Sequence, residues 1–435
     1  MRTAASFARG GVFPPARKQA TAGLPIRKAC VPVEVFLPLR QHNGAPAACL
    51  VSAGQSVAEG QPVGRGQGPL SAHVHASIPG VVRQVREIRL PDGTVSPAVI
   101  IGLEGEFSRT GRVRRPQDWR ELSREELLLR LEAAGVVDPN GVPAAARLRE
   151  AGHAGLLVVN GVESEPYLSC GQRILVEKAA EVLAGAAVAA FILGAGRVRV
   201  AVEADKPEAW RAVAEAAEAS KAASTLGFEV SALQSRYPLE EEALLVRSLA
   251  GRGAGSRLGE QGLAVLEAGT LLAIQEAVTL QQPQIERVVT VAGEAVRHPA
   301  NLKARLGTPV SALLEECGLL RAPARIIAGG PMRGFALDGM DTPLTKGMKG
   351  ILALSRREIR PAVRTPCIGC GRCAEACPWG LRPDELYKWL EHGETAEALR
   401  RGLQSCTECG CCAFVCPARI PLVQGLAAGK KKGAP

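Results

Sequence analysis

Two short stretches near the carboxyl end concentrate the residues most able to do chemistry. "CIGCGRCAEACP" supplies Cys367, Cys370, Cys373 and Cys377, followed by Pro378. "CTECGCCAFVCP" supplies Cys406, Cys409, Cys412 and Cys416, followed by Pro417. Both read C-x2-C-x2-C-x3-C-P. Three thiolates on one tight loop can cap three irons of a cubane, and the fourth, after a half turn of helix, reaches the neighbouring cluster. The spacing therefore predicts two [4Fe–4S] clusters. One takes Cys367, Cys370, Cys373 and Cys416; the other takes Cys406, Cys409, Cys412 and Cys377. A zinc site would need four ligands from two paired knuckles, not two triplets each trailed by Cys-Pro. Cys411 is out of register and is read as a bystander. Cys30, Cys49, Cys170 and Cys317 stand alone and are read as packing residues.

A second stretch, "LLVVNGVESEPYLSC" (156–170), ends an apolar run in Asn-Gly and then places two carboxylates one residue apart. That is a surface turn or a ligand site at a strand's carboxyl end, where open α/β sheets bind ligands.

The elements that must position these residues fall into several units, since a single core rarely grows beyond about 250–300 residues and the chain has 435. Aromatic residues are 3%, so Val, Leu, Ile and Ala must build the cores. Residues 32–105 read as short strands with Gly and Pro turns, in the pattern of a biotinyl- or lipoyl-type barrel-sandwich. No lysine occurs between Lys28 and Lys178, which argues against a carrier that modifies a hairpin lysine. His42, His73 and His75 are read as ordinary polar sheet residues. From 118 to 282 strands alternate with helices, the sign of a mainly parallel sheet. Its first helix, "SREELLLRLEAAG", carries a capping box in Ser123 and Glu126 and Gly135 just past its end. Residues 284–356 form a compact unit in which Thr308 is expected as helix N-cap and Pro309 at the first helical position. Residues 360–425 hold the cysteine motifs, with "RPDELYKWLEHGETAEALRRGLQS" between them reading as helix. Residues 1–31 precede these units as an extension; they are Arg-rich, lack a secretory apolar region, and are read as mature protein.

The net charge of +10 suggests acidic partners, but no recognition motif accompanies it, so nucleic acid is excluded as a partner. The longest apolar run, 182–196, falls short of the roughly 20 residues a membrane span needs. Without a secretory signal, clustered cysteines point to a reducing, cytoplasmic setting.

These pieces in this order resemble RnfC, the NADH-side subunit of the Rnf ion-translocating electron-transport complex. "FARGGVFPP", "LPLRQHNGAPA", "SAHVHASIPG", "NGVESEPYLSC", "ERVVTVAGEAVRHPAN", "GGPMRG", "PCIGCGRC" and "IPLVQ" carry the resemblance. It implies a multidomain α/β and β fold: a barrel-sandwich hybrid, an α/β domain like the flavoprotein subunit of respiratory complex I, a β-grasp (SLBB) domain and a helical di-cluster ferredoxin domain. It implies electron transfer from NADH through FMN to the two clusters. The partners would be the other subunits of an Rnf-type membrane complex and ferredoxin-like redox proteins, with the chain peripheral at the cytoplasmic face. It also carries a flavin-pocket role to Asn160, Glu163 and Glu165. Related proteins also serve as soluble carriers or adaptors for proline or cobalamin reductases, and that alternative stands beside the first. Two departures bear on the flavin. Where the family has a glycine-rich loop before the 156–160 strand, this chain has "GVVDPNGVPAAARL" (135–148), and the family's Y-P-x-G-x-E has become "YPLEEE" (237–242). Both losses predict weakened FMN binding and poor NADH oxidation.

Overall fold

A computed structural model describes the chain except residues 1, 2, 5, 108–116, 222–225, 251–261, 321, 360–362 and 433–435. The expected start of the cysteine-rich unit at residue 360, and most of the link between the first two expected domains, lie outside the described residues.

Short strands from residue 34 to 103 build a sandwich. A four-stranded sheet runs Glu34–Pro38, Val95–Leu103, Gly80–Arg89, Ser56–Val57, and a three-stranded sheet of Ala48–Cys49, Pro62–Arg65 and Val74–His75 completes it. Next comes a five-stranded sheet, parallel throughout, in the order Thr3–Ala4, Gly227–Leu233, Arg197–Glu203, Leu156–Asn160, Leu263–Glu267. Parallel strands covered on both faces need continuous apolar runs, and "LLVV" supplies one; Leu157, Val158 and Val159 are all buried. Helices Ala179–Leu193 and Ala268–Thr279 cross closely on one face, because a side chain at Gly185 would come within 1.9 Å of the Leu271 carbonyl. Two helices follow the Leu156–Asn160 strand, because Cys170–Glu177 ends at Lys178, whose φ of −132° leaves the helical region.

A six-stranded mixed sheet contains Phe335–Ala336, Arg325–Ala328, Gly350–Leu354, Glu286–Ala292, Ala300–Arg305 and Ile26–Lys28. Its helix spans Val310–Glu316 with Pro309, not Thr308, at the N-cap. The Thr308 hydroxyl donates back to the Arg305 carbonyl at 2.7 Å. The Ser123–Glu126 capping box forms as expected. The stretch between the cysteine motifs is not one helix but three pieces, Pro383–Glu391, Thr395–Arg400 and a 3-10 turn at Leu403–Ser405, divided at Gly393 and Gly402, both with positive φ.

The amino-terminal residues join these units. Thr3–Ala4 extends the parallel sheet and Ile26–Lys28 the mixed sheet. Between them, the Gly11 N–H donates to the Ala376 carbonyl, and Val12 pairs with Tyr237. Lys346 is buried where three units meet, its Nζ donating to the carbonyls of His73 (2.8 Å) and Gly135 (2.6 Å). Burial alone pushes its pKa down to about 7. Among the described residues no helix is long and apolar enough to cross a membrane.

Candidate functional site

The first cysteine triplet and the trailing cysteine of the second motif meet. Cys367, Cys370, Cys373 and Cys416 line one cavity of about 90 Å³, with Ile368, Gly369 and Pro417. The glycine in each motif makes the loop tight: Gly371 (φ +72°) and Gly410 (φ +87°) start the short helices that carry Cys373 and Cys412. Cys409, Cys406 and Cys377 all lie within electrostatic reach of Cys412. Cys411 packs with Val12, Tyr237 and Ala376 behind Cys409 and is fully buried. Among the described residues no three of these thiols already converge at metal-ligand distance; the loops, not the side-chain rotamers, bring each set of four together. The donor set, all thiolate, fits iron–sulfur ligation. The two groups differ in setting. Cys367 and Cys370 are exposed, whereas Cys409 and Cys412 are buried.

The second group lies beside a cleft of about 910 Å³. Asn160 and Glu267, at the carboxyl ends of two parallel strands, form its floor. Residues 40–43, the 328–335 turn, Trp379 and Thr407 contribute to its walls. Trp379 donates from Nε1 to the Thr407 hydroxyl at 2.9 Å and stacks under Arg247. The Tyr237 hydroxyl donates to the Cys409 carbonyl. Arg333 pairs with Glu241 and donates to the Thr407 carbonyl at 2.9 Å. The cleft wall and the second cysteine loop are thus one hydrogen-bonded structure.

The three residues expected to form a flavin pocket separate here. Glu163 is not in the cleft. It is buried and accepts from the N–H groups of Gly171 (3.0 Å) and Gln172 (3.2 Å), capping the Cys170–Glu177 helix. Burial opposes its ionisation, but Lys18, Lys349 and these N–H groups outweigh that and hold its pKa below the usual carboxylate range. Asn160 lines the cleft, yet its amide is committed: it donates to the Glu240 carbonyl at 2.9 Å and accepts from the Val162 N–H at 3.1 Å. Glu165 also lines it. Its Oε1 accepts from the N–H groups of Met332 (2.7 Å) and Arg333 (3.3 Å), and its Oε2 is buried without a partner among the described residues. Burial raises its pKa.

Other residues on the cleft were not singled out by spacing. Glu240 accepts from the Ser164 N–H (2.9 Å) and hydroxyl. Burial, then the Glu165 charge, push its pKa up to about 8. Lys349 bonds Glu267 at 2.6 Å. The run of three glutamates in "YPLEEE" was the available signal, since charged side chains are seldom clustered beside a core strand without a reason.

The turn at 138–143 decides what this cleft can recognise. A phosphate needs several backbone N–H groups aimed into one concavity. Here the Asp138 N–H bonds Val142; Asn140 and Val142 both donate to Asp138 Oδ1 at 2.9 Å; Gly141 donates to the Asp138 carbonyl. Pro139 and Pro143 have no N–H to offer. The turn is closed upon Asp138. Burial raises the pKa of that carboxyl, with Arg147 opposing at 2.6 Å, and Arg147 also holds Glu242 at 2.5 Å. Ala145 and Ala146, in the first turn of the following helix, do not line the cleft. The turn itself presents no free N–H group to a flavin phosphate.

Family models match in sequence order: the RnfC barrel sandwich hybrid domain over residues 6–106, the Nuo51 FMN-binding domain over 131–276, the SLBB domain over 288–336 and a 4Fe-4S dicluster domain over 366–420. Among solved structures, an NAD+-reducing [NiFe]-hydrogenase in the H2-reduced state shares the fold at a TM-score of 0.51 and 17% identity, over 71% of this chain and 60% of that one. The chain is 36% identical to the RnfC-type subunit of the ion-translocating oxidoreductase complex of Rhodobacter capsulatus, over 98% of this chain and 82% of that one. It is 34% identical to the corresponding subunit of the proton-translocating ferredoxin:NAD(+) oxidoreductase complex of Clostridium ljungdahlii, over 87% and 83%. It is 38% identical to the Pseudomonas aeruginosa counterpart, over 97% of this chain and 55% of that longer one. With relatives this similar over nearly its full length, the chain belongs to the RnfC family of oxidoreductase complex subunits.

Proposed function

We propose that this chain passes electrons through two [4Fe–4S] clusters as the RnfC-type component of a membrane-associated ion-translocating NADH:ferredoxin oxidoreductase complex. One observation carries the reading: Cys416 shares a cavity with Cys367, Cys370 and Cys373, although it lies 43 positions or more from them along the chain. Only the crossed pattern of a two-cluster unit calls for that arrangement. When bound, each cluster accepts and releases one electron. The residues around them set the order. Trp379 and Thr407 connect the cleft to the Cys406–Cys412 loop, so the cluster of Cys406, Cys409, Cys412 and Cys377 is the one nearest a reductant in the cleft. The exposed Cys367–Cys370 loop makes its cluster the one that meets an external redox partner, such as another subunit of the complex or a ferredoxin-like protein.

The chain sits at the cytoplasmic face by contact with other subunits. Its basic carboxyl end contributes little to anchoring, since Lys430 turns inward and donates to the Cys406 carbonyl (2.8 Å) and Glu408 (2.9 Å). The closed turn at Asp138 goes with little bound FMN and slow NADH oxidation by this chain alone. Anaerobically purified protein is expected to hold about eight irons, for two four-iron clusters, and to give interacting EPR signals after dithionite. Stoichiometric zinc, or about four irons, would sink the reading. The flavin statement has its own measure: flavin released by acid from that preparation should be far below one per chain.

A further inference from the structure

The cleft that lacks a phosphate cradle is not therefore without recognition chemistry. Two buried carboxylate oxygens on its wall, Glu165 Oε2 and Glu267 Oε2, have no hydrogen-bond partner among the described residues, and neither does Arg147 Nε. Glu165 is only 5% exposed. A buried polar atom left unpaired is costly, and native structures satisfy such atoms with protein, water or a ligand. A hydroxyl suits both atoms whatever their protonation, since it donates to an ionised carboxylate and accepts from a protonated carboxyl.

The charge on the wall narrows the class further. Asp92, Asp138, Glu165, Glu240, Glu241, Glu242 and Glu267 all face the cleft. Arg147, Arg333 and Lys349 face it too, but each is already bonded to one or two of those carboxylates. Arg40 is the remaining cation on the wall, and it has no ion pair among the described residues. One arginine without an ion pair, on a wall with seven carboxyl groups, does not make an anion site. Leu168, Leu266, Phe335, Met348 and Trp379 supply an apolar surface suited to a ring system. The volume, about 910 Å³, admits a molecule of cofactor size.

We propose that this cleft binds an uncharged aromatic ring bearing a hydroxyl-rich chain or sugar, of the unphosphorylated flavin or nucleoside class, in preference to its phosphorylated counterpart. The hydroxyls donate to Glu165 Oε2 and Glu267 Oε2, and the ring lies on the apolar wall. The closed 138–143 turn and the surrounding carboxylates penalise a phosphate. This deepens the account of the cleft given above. It is separable from the electron-transfer reading, which iron content and EPR test without any ligand.

The experiment uses the anaerobic full-length chain with its iron content verified. Riboflavin, FMN, adenosine and AMP are each titrated by calorimetry, and the flavins also by fluorescence quenching. In at least one pair the unphosphorylated member is expected to bind tenfold or more tightly than its phosphorylated partner, a difference of about 1.4 kcal/mol. The two pairs distinguish a flavin-type from a nucleoside-type ring. Glu165→Gln keeps the oxygen that Met332 and Arg333 need but puts a donor where Oε2 stood. It should weaken the preferred ligand tenfold or more, with iron content and melting temperature unchanged. Asp138→Asn keeps an acceptor for the turn and removes one charge. It should narrow the gap within the pair by improving the phosphorylated member alone. The proposal fails if FMN or AMP binds as tightly as its partner in both pairs. It also fails if neither unphosphorylated ligand binds at about 1 mM, or if Glu165→Gln leaves the affinity unmoved.

Discussion

At the scale of single residues, the crossed cysteines give a sharp expectation. If Cys377 serves the cluster of Cys406, Cys409 and Cys412, removing it empties that cluster and not the one on its own loop. Cys377→Ala should therefore cost about four irons, and adding Cys406→Ala should cost no more. Adding Cys370→Ala instead should empty both clusters. Equal losses in the two double variants would show that the ligands are not crossed. Cys411→Ser should retain both clusters, because Cys411 packs behind Cys409 among Val12, Tyr237 and Ala376. Glu240 offers a pH test. Its native pKa is pushed up to about 8 by burial and by Glu165, while in the unfolded chain it titrates near 4.3. Between those values the native state keeps a proton that the unfolded state has released, so this group makes stability fall as pH rises across that window. Glu240→Gln cannot lose a proton. Its stability relative to wild type, measured by denaturant unfolding, should increase steadily from about pH 5 to pH 8; a constant difference would contradict the assigned shift.

At the scale of elements, the amino-terminal segment acts as a strap. It runs from the parallel sheet across the cysteine-rich unit and on to the mixed sheet. Gly10 (φ +65°) lies so close to the second half of the first motif that a Cβ there would be 2.4 Å from the Cys377 carbonyl carbon and 2.5 Å from the Pro378 nitrogen. Those are backbone atoms and cannot swing aside. The positive φ adds strain of about 1–3 kcal/mol for a residue other than glycine. Gly10→Ala should therefore push Cys377 away from its partners and lower the iron of one cluster. Gly54→Ala, at a positive-φ position where a Cβ meets nothing within 4 Å, is the control for strain without the clash and should leave the iron intact. Full iron in Gly10→Ala would mean that the strap does not hold Cys377 in place.

At the scale of the whole molecule, Lys346 and a small polar network hold the units together. Ser169, Thr21, Thr290 and Asn301 bond one another between the parallel and mixed sheets, with the Ser169 hydroxyl donating to Thr21 at 2.7 Å. Lys346 joins the mixed-sheet unit to His73 of the sandwich and to Gly135 of the α/β unit. Lys346→Met keeps the apolar stem and leaves two buried carbonyls unpaired, at about 1–3 kcal/mol each. It should lower the melting temperature and loosen the sandwich from the rest, seen as faster hydrogen exchange around His73 and Gly135. Its pH signature is opposite in sign to that of Glu240. The native lysine, with its pKa lowered to about 7, has released a proton that the unfolded chain keeps up to about pH 10.4. Wild-type stability therefore gains from this group as pH rises through that window, and Lys346→Met should lose the gain.

Much of this architecture is legible in the sequence because it is local or repeats at fixed spacing. The two C-x2-C-x2-C-x3-C-P runs announce their metal chemistry, since three ligands on one loop are set by short-range geometry. The capping box at Ser123 and the apolar "LLVV" strand are equally local. Thr308 departs from expectation because the helix starts one residue later than the threonine suggests, with Pro309 at its N-cap. Glu163 and Glu165, two residues apart, look like one pair. Only the tertiary structure divides them: the chain turns between them, sending Glu163 to the start of a helix and Glu165 to the 332–333 backbone. The composition of the cleft is likewise beyond local reading. Asp138, Glu165, Glu240 and Glu267 are scattered widely along the sequence and line one cleft, where the paired strands Leu156–Asn160 and Leu263–Glu267 end side by side. Spacing along the chain fixes which ligands share a loop; which carboxylates share a cavity, and which of their oxygens are left without a donor, is decided by packing.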